Sequence, residues 1–288
     1  MNRSVSILIN GTTGPVRKCG EYGLPQGSVL SPILFRFYIN DMDKDLTEKP
    51  NIDVYKFADD GTVKVIGETM EKCLKQMAHV CASLSRWTAT WRMVINCQQN
   101  KTEIMCFSNP GQETVPKEFK MGSAKILSTE KTKVLGVIID EKLRFKLHTE
   151  KVYNKLIGKW VMMSRYSNRS WGFNQKVTRR IIQSIMFSTL FYASMIWMQE
   201  SNIVSLKMLV YKIMKSAIGA VFHISEVNAE IILELPPMQI TNTVFTVKHY
   251  LKILSKQAQL YKDPMMQFVE DTLAEGHNIQ LKVHVKMV

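Results

Sequence analysis

The sequence lacks a paired-cysteine framework. Its five cysteines, Cys19, Cys73, Cys81, Cys97 and Cys106, are odd in number and have no C-x-x-C spacing. That excludes a zinc ribbon or a disulfide scaffold and implies a reducing, intracellular setting, nucleus or cytoplasm. The six histidines are scattered with no pair at i, i+3 or i, i+4, so no helix-borne metal site is expected. No internal repeat or low-complexity tract occurs. The N-terminal apolar run soon meets Asn10-Gly11, so no signal peptide is expected. Long hydrophobic runs are nearly absent too. The one uncharged stretch, Ile181 to Gln199, is diluted by Gln183, Ser184, Ser188, Thr189 and Ser194. It reads as a buried core helix, with a membrane anchor over 181–199 as the alternative.

Acid is also scarce where base is dense. The formal charge is +13, and Lys142 to Arg180 holds eleven Lys or Arg against one acid, Glu150. A basic excess of this kind favours partners that carry phosphate. Lys151, Lys155 and Lys159 fall at i, i+4, i+8, so they would line one helix face and could track a phosphate backbone, with a solvated charged face as the plain reading. Trp160, Tyr166 and Trp171 are read as core in preference to stacking platforms.

With 288 residues and 45% hydrophobic content, the chain can bury one large core or two smaller ones. Val5 to Ile9 reads as a strand running into a turn. Ser31-Pro32 starts a helix, and Leu30, Ile33, Leu34, Phe37, Tyr38 and Met42 give it one apolar face. Asp41, Asp43 and Asp45 would form its solvated exit. Ile52 to Ile66 reads as a hairpin with Ala58-Asp59-Asp60-Gly61 at its tip. A long amphipathic helix is expected from Glu68 to about Met93, then a strand over Glu103–Ser108, a polar connector over Gln112–Ser123 and a strand over Lys133–Asp140. Helical stripes follow near 150–165, 175–198, 203–220 and 240–261. The fold class is therefore α+β, a strand-rich first half followed by a helical one.

The tip "FADD" raises the chemical question. Asp-Asp-Gly at a hairpin tip is an ordinary turn when Asp and Gly supply positive φ. Two carboxylates held beside a neighbouring strand are also hard-oxygen ligands suited to Mg²⁺. Gln26-Gly27 alone would be a turn, Lys101 alone a surface lysine, and Leu135-Gly136 alone core and bulge.

In order, however, "GLPQGSVLSPILFRFYINDM" (Gly23–Met42) and "FADD" (Phe57–Asp60) resemble the reverse transcriptase of non-LTR, LINE-type retrotransposons. "WRMVINCQQNKTEIMCF", "KVLGVIIDEKLRFKLH", "RSWGFNQKVTRRIIQSIMFSTLFYASMIW" and "KSAIGAVFHISEVNAEIILELPPM" continue the likeness over about residues 3–238. The resemblance implies a partial right-hand polymerase palm over 1–145, with an antiparallel sheet and helices. A helical thumb over 146–200 and a helical C-terminal tail over 201–288 would follow.

It also implies roles. Asp59 and Asp60 would be the catalytic, metal-binding carboxylates for Mg²⁺, or Mn²⁺. Gln26, Gly27 and Lys101 would contact nucleotide and template. Leu135 and Gly136 would lie in a hairpin that grips the primer end, and Lys151, Lys155 and Lys159 would contact the nucleic-acid backbone. The partners implied are an RNA template, a DNA primer and deoxynucleotides, with no membrane. The family's third carboxylate comes from a strand ahead of the Pro-Gln-Gly loop, and residues 1–20 contain no Asp or Glu. A chain truncated before that strand is therefore expected, with metal binding weak or absent, polymerisation incomplete, and an open sheet edge that lowers solubility. A non-catalytic nucleic-acid-binding protein using the basic thumb is the alternative of a different class.

Overall fold

The structure is a computed structural model that describes residues 4–18, 23–25, 27–98, 101–107, 118–166, 172–220, 222–257 and 279–286. At the start, β1 (Ser4–Val5), β2 (Leu8–Ile9), β3 (Thr12–Thr13) and β4 (Arg17–Lys18) form two short ladders, β1 with β4 and β2 with β3. The inner hairpin turns at Asn10-Gly11, where both residues have positive φ (48° and 80°), as the mirror-image turns of hairpins require. Helix α1 (Ser31–Tyr38) opens with Pro32 in its first turn, and Ser31 Oγ donates to the Pro25 carbonyl at 2.7 Å. Its apolar face is not core. Leu30, Ile33, Leu34 and Phe37 are all at least half exposed.

After α2 (Lys44–Thr47), the hairpin β5 (Ile52–Phe57) and β6 (Asp60–Gly67) leads into α3 (Met70–Thr90). Thr69 caps α3 by accepting from Lys72 N–H, a contact worth about 1 kcal/mol. Cys73, Met77, Val80, Cys81 and Leu84 share its buried face and cover β6. Strand β7 (Glu103–Phe107) follows, then the hairpin β8 (Glu118–Met121) and β9 (Ala124–Leu127). That hairpin begins inside the expected polar connector because Phe119, Met121 and Ile126 alternate with polar residues and are buried. The strand expected over 133–140 is instead a second hairpin, β10 (Lys131–Val134) and β11 (Val137–Asp140), turning at Leu135-Gly136.

Helices take over from α4 (Lys146–Ser164) and α5 (Gln175–Ile181). A π-helical turn over Ile182–Phe187 runs into α6 (Ser188–Leu190), followed by α7 (Ser194–Trp197). Then come α8 (Glu200–Ile218), α9 (Glu226–Leu233) and α10 (Met238–Gln257). The anchor reading of 181–199 is overturned here. The stretch is broken at Phe191–Ala193, Ala193 has positive φ, and Ile182, Leu190 and Trp197 are almost fully buried against α4 and α8. Among the described residues no helix is long and apolar enough to cross a membrane.

Two cores result. One lies under α3 and takes in Leu46, Val63, Val65, Ile104 and Ile126. The other joins the β10–β11 hairpin to α4, α8 and α9 through Val137, Leu156, Trp197, Leu206 and Leu233. Burial pushes the Cys81 thiol up to about 11 and that of Cys106 to about 12, so these cysteines are protonated filler of the first core.

The last element is β12 (Ile279–Lys286), a strand within the segment expected to be helical. It lies inside the main sheet, whose order is β5-β6-β12-β7, and runs antiparallel to both β6 and β7. It pairs along the flank of β6 that faces away from β5.

Candidate functional site

The Asp59–Asp60 pair sits at the β5–β6 tip. Phe57 and Asp60 are the closing register partners, so Ala58 and Asp59 form a two-residue loop. Its positive φ (51°) falls on Ala58, while Gly61 lies within β6 and is buried. An alanine there costs about 1 kcal/mol. The turn therefore draws on neither the permissiveness of Asp nor that of Gly. Turn chemistry leaves the paired acids unexplained, and strain of this kind concentrates at functional sites. Asp59 is exposed and Asp60 half-buried.

Lys56 fixes where the hairpin stands. Its Nζ donates to the carbonyls of Ile39 (3.4 Å) and Asn40 (3.1 Å) and to Asp43 Oδ1 (2.7 Å). One ammonium thus ties β5 to the C-terminal end of α1. Asp43 is a clamp partner and not part of a solvated exit. Asp41 accepts from Trp87 Nε1 at 2.9 Å and Asp45 from Ser83 Oγ at 3.4 Å, so all three acids bind neighbouring elements. Tyr38 packs edge-on against Trp91 and donates its hydroxyl to the Trp91 carbonyl, joining α1 to the end of α3. The loop-and-helix motif and the acidic hairpin, apart in sequence, are therefore held together.

Gln26 lies outside the described residues; Gly27 is exposed with φ of 86°. Lys101 is exposed in the turn before β7, where Thr102 Oγ1 donates to the Asn96 carbonyl at 2.8 Å and Lys101 N–H to that of Gln98. Leu135 and Gly136 both have positive φ (45° and 93°) at the β10–β11 tip. Tyr192 Oη donates to the Leu135 carbonyl at 2.7 Å, and its ring lies 3.5 Å from where a Cβ on Gly136 would sit. Sequence spacing gives no sign of Tyr192, because the contact bridges 57 positions.

The α4 face carries Lys151 and Lys155, both exposed. Partial burial, then repulsion from Lys133 and Lys155, lowers the Lys151 ammonium's pKa. Partial burial, then Lys155, does the same to Lys159. Cations crowded this way gain from a polyanion that relieves their repulsion. Lys159 differs from the other two, since its Nζ donates to the Ile185 carbonyl (3.3 Å) and to Thr189 Oγ1, serving the π-helical turn. Trp160 packs on the core as expected, whereas Tyr166 is more than half exposed beside Phe173, and Trp171 lies outside the described residues.

An open cleft of about 630 Å³ is lined by Glu103, Thr129, Lys131, Asp140, Lys142 and Arg144 among others, and by neither Asp59 nor Asp60. Asp140 is engaged there in organising the entry to α4. It accepts backbone N–H bonds from Lys142, Arg144 and Phe145 at 3.1, 2.9 and 2.7 Å. Among the described residues no three His, Cys, Asp or Glu side chains gather as metal ligands. Asp59 and Asp60 offer the oxygen donors that one Mg²⁺ takes alongside water, but not the bridging set that a metal pair requires.

Residues 4–139 match the family model described as reverse transcriptase (RNA-dependent DNA polymerase), and this segment belongs to that family. Three relatives are proteins of retrotransposable elements of the non-LTR kind. A retrovirus-related Pol polyprotein from the type-1 retrotransposable element R1 of Bradysia coprophila is 25% identical over 188 residues, 65% of this chain and 18% of the relative. A probable RNA-directed DNA polymerase from transposon X-element of Drosophila melanogaster is 26% identical over 186 residues, 61% of this chain and 19% of the relative. The RNA-directed DNA polymerase from mobile element jockey of Drosophila funebris is 22% identical over 245 residues, 81% of this chain and 26% of the relative. The chain thus spans about a fifth to a quarter of the length of these relatives. No solved structure matches it at a significant level.

Proposed function

We propose that this chain is the palm and thumb portion of a retrotransposon RNA-directed DNA polymerase, and that on its own it binds a primer–template without extending it. The observation that carries the reading is the Lys56 clamp. It joins the hairpin bearing Asp59 and Asp60 to the helix that follows the Leu-Pro-Gln-Gly loop, inside the segment matched to the family. In this reading Asp59 and Asp60 hold Mg²⁺ at the primer terminus, and Gln26, Gly27 and Lys101 face template and incoming nucleotide. The strained Leu135-Gly136 tip, braced by Tyr192, rests on the primer end. Lys151 and Lys155 carry the nucleic-acid backbone, with Lys159 at the edge of that track.

When bound, Mg²⁺ supplies charge stabilisation for phosphoryl transfer. The protein's own contribution is positioning: a rigid tip for the carboxylates, a braced hairpin for the primer and a cationic helix for phosphate. Lack of extension follows from the neighbour of β6. That strand, Ile279–Lys286, contains no acid, so it brings no third carboxylate beside Asp60. Primer extension on an RNA template with Mg²⁺ and deoxynucleotides tests the assignment. The expected result is salt-sensitive binding without extension, and extension that disappears in Asp59→Ala would overturn it.

A further inference from the structure

Helix α10 (Met238–Gln257) has two unlike sides. One packs on the second core, where Met238 and Thr241 are buried and Phe245 stacks on Phe191 with ring centroids 5.3 Å apart. The other, turned away from those three residues, carries Ile240, Val244, Val247 and Leu251, which are 57%, 44%, 49% and 57% exposed. At about 100° per residue these four fall within about 60° of one another. The steps between them are four, three and four residues. That is the spacing by which one helix seats against a single partner helix, and the seam it makes is narrower than the apolar face a helix turns to a globular core.

Charge selects the partner. Helix α10 contains no Asp or Glu. Lys248 follows Val247 and Lys252 follows Leu251, so the two share one flank of the helix at i, i+4. Both are exposed, and neither forms an ion pair among the described residues. A second copy of α10 would add only like charge, with no carboxylate to offset it. A phosphate backbone would use the lysines and leave the apolar seam in water. A membrane surface takes a broad apolar face, and this seam is narrow.

We propose that α10 is a docking helix for an acidic amphipathic helix of another protein: the partner's apolar side chains close over Ile240, Val244, Val247 and Leu251, and its carboxylates meet Lys248 and Lys252. Such docking would need neither the Asp59–Asp60 tip nor the lysines of α4.

The test uses the full chain and two synthetic heptad-repeat peptides with leucine at every seam position, one flanked by glutamate and the other by lysine. Fluorescence anisotropy of the labelled peptides is expected to show binding of the glutamate peptide that weakens as salt rises, and none of the lysine peptide. Val244→Gln with Val247→Gln is expected to weaken that binding at least about tenfold, because two apolar side chains lose their burial. Ile33→Gln with Phe37→Gln, at exposed positions of α1, should leave it unchanged. Lys248→Glu with Lys252→Glu should reverse the preference to the lysine peptide, a gain of binding that a misfolded variant cannot give. Absent glutamate-peptide binding, equal binding of the two peptides, equal loss in the α1 variant, or a preference that does not reverse would each overturn the docking helix. A dimer in sedimentation velocity that dissolves in the Val244→Gln, Val247→Gln variant would overturn it in favour of a second copy. Pelleting with phosphatidylserine vesicles, or retention of single-stranded RNA, that is lost in the same variant would overturn it in favour of a membrane or a nucleic acid.

Discussion

Lowering the pH should loosen the packing of the β10–β11 hairpin on α4 through one buried side chain, His148. Only 3% of it is exposed; its Nδ1 accepts the Ile138 N–H at 3.2 Å and its ring meets Trp197 edge-on at 4.9 Å. With Nδ1 accepting, the proton of the neutral ring sits on Nε2, which is buried and finds no hydrogen-bond partner among the described residues. Protonation would set an Nδ1–H against the Ile138 N–H. Burial, then repulsion from Lys151, lowers the pKa from 6.5 to about 4. Between those two values the unfolded chain binds more protons than the folded one, so stability is full above pH 6.5 and declines as pH falls toward 4. The loss from this residue is about 3 kcal/mol, and it grows no further below pH 4. Urea unfolding at intervals from pH 7.5 to 4, on the wild type and on His148→Gln, isolates the contribution from that of the carboxylates. The wild type should lose about 3 kcal/mol more than the variant across this window. Parallel curves, or an imidazole that titrates near 6.5 by NMR, would refute the reasoning.

Tyr192→Phe should cost about 1 kcal/mol of stability by removing the hydroxyl bond to the Leu135 carbonyl. It should also speed amide exchange at the β10–β11 tip with far less effect on the β5–β6 tip, as read by hydrogen-exchange mass spectrometry. Lys151→Ala with Lys155→Ala should weaken primer–template binding and reduce the slope of log affinity against log salt by about 2. Lys159→Ala should change that slope little and stability more, because its ammonium bonds the Ile185 carbonyl.

The elements legible in the sequence were those set by short periods. Alternation over Ile52–Ile66 and the 3.6-residue stripe from Met70 onward correspond to β5, β6 and α3. Periodicity alone read Lys133–Asp140 as one strand, because Leu is an unusual choice at positive φ, whereas the family resemblance implied a hairpin at Leu135-Gly136. The apolar stripe of α1 suggested core although most of it is exposed, since periodicity gives a face but not what covers it. The slot beside β6 was illegible for a different reason. Pairing residue 60 with residue 286 is a long-range choice that no local pattern encodes, and the helical trend of the second half concealed an alternating strand at its end. At the site, the motif order brought out Asp59 and Asp60, whereas the braces Lys56 and Tyr192 became visible only as contacts across the fold.

The central claim is that the tip of the β5–β6 hairpin is a divalent-cation site. Fe²⁺ exchanged into the protein with ascorbate and peroxide cuts backbone close to wherever the ion is held. Cleavage should fall within residues 57–61 and disappear in the Asp59→Asn, Asp60→Asn double variant. Fragments that map elsewhere, or that persist in the double variant, would contradict it.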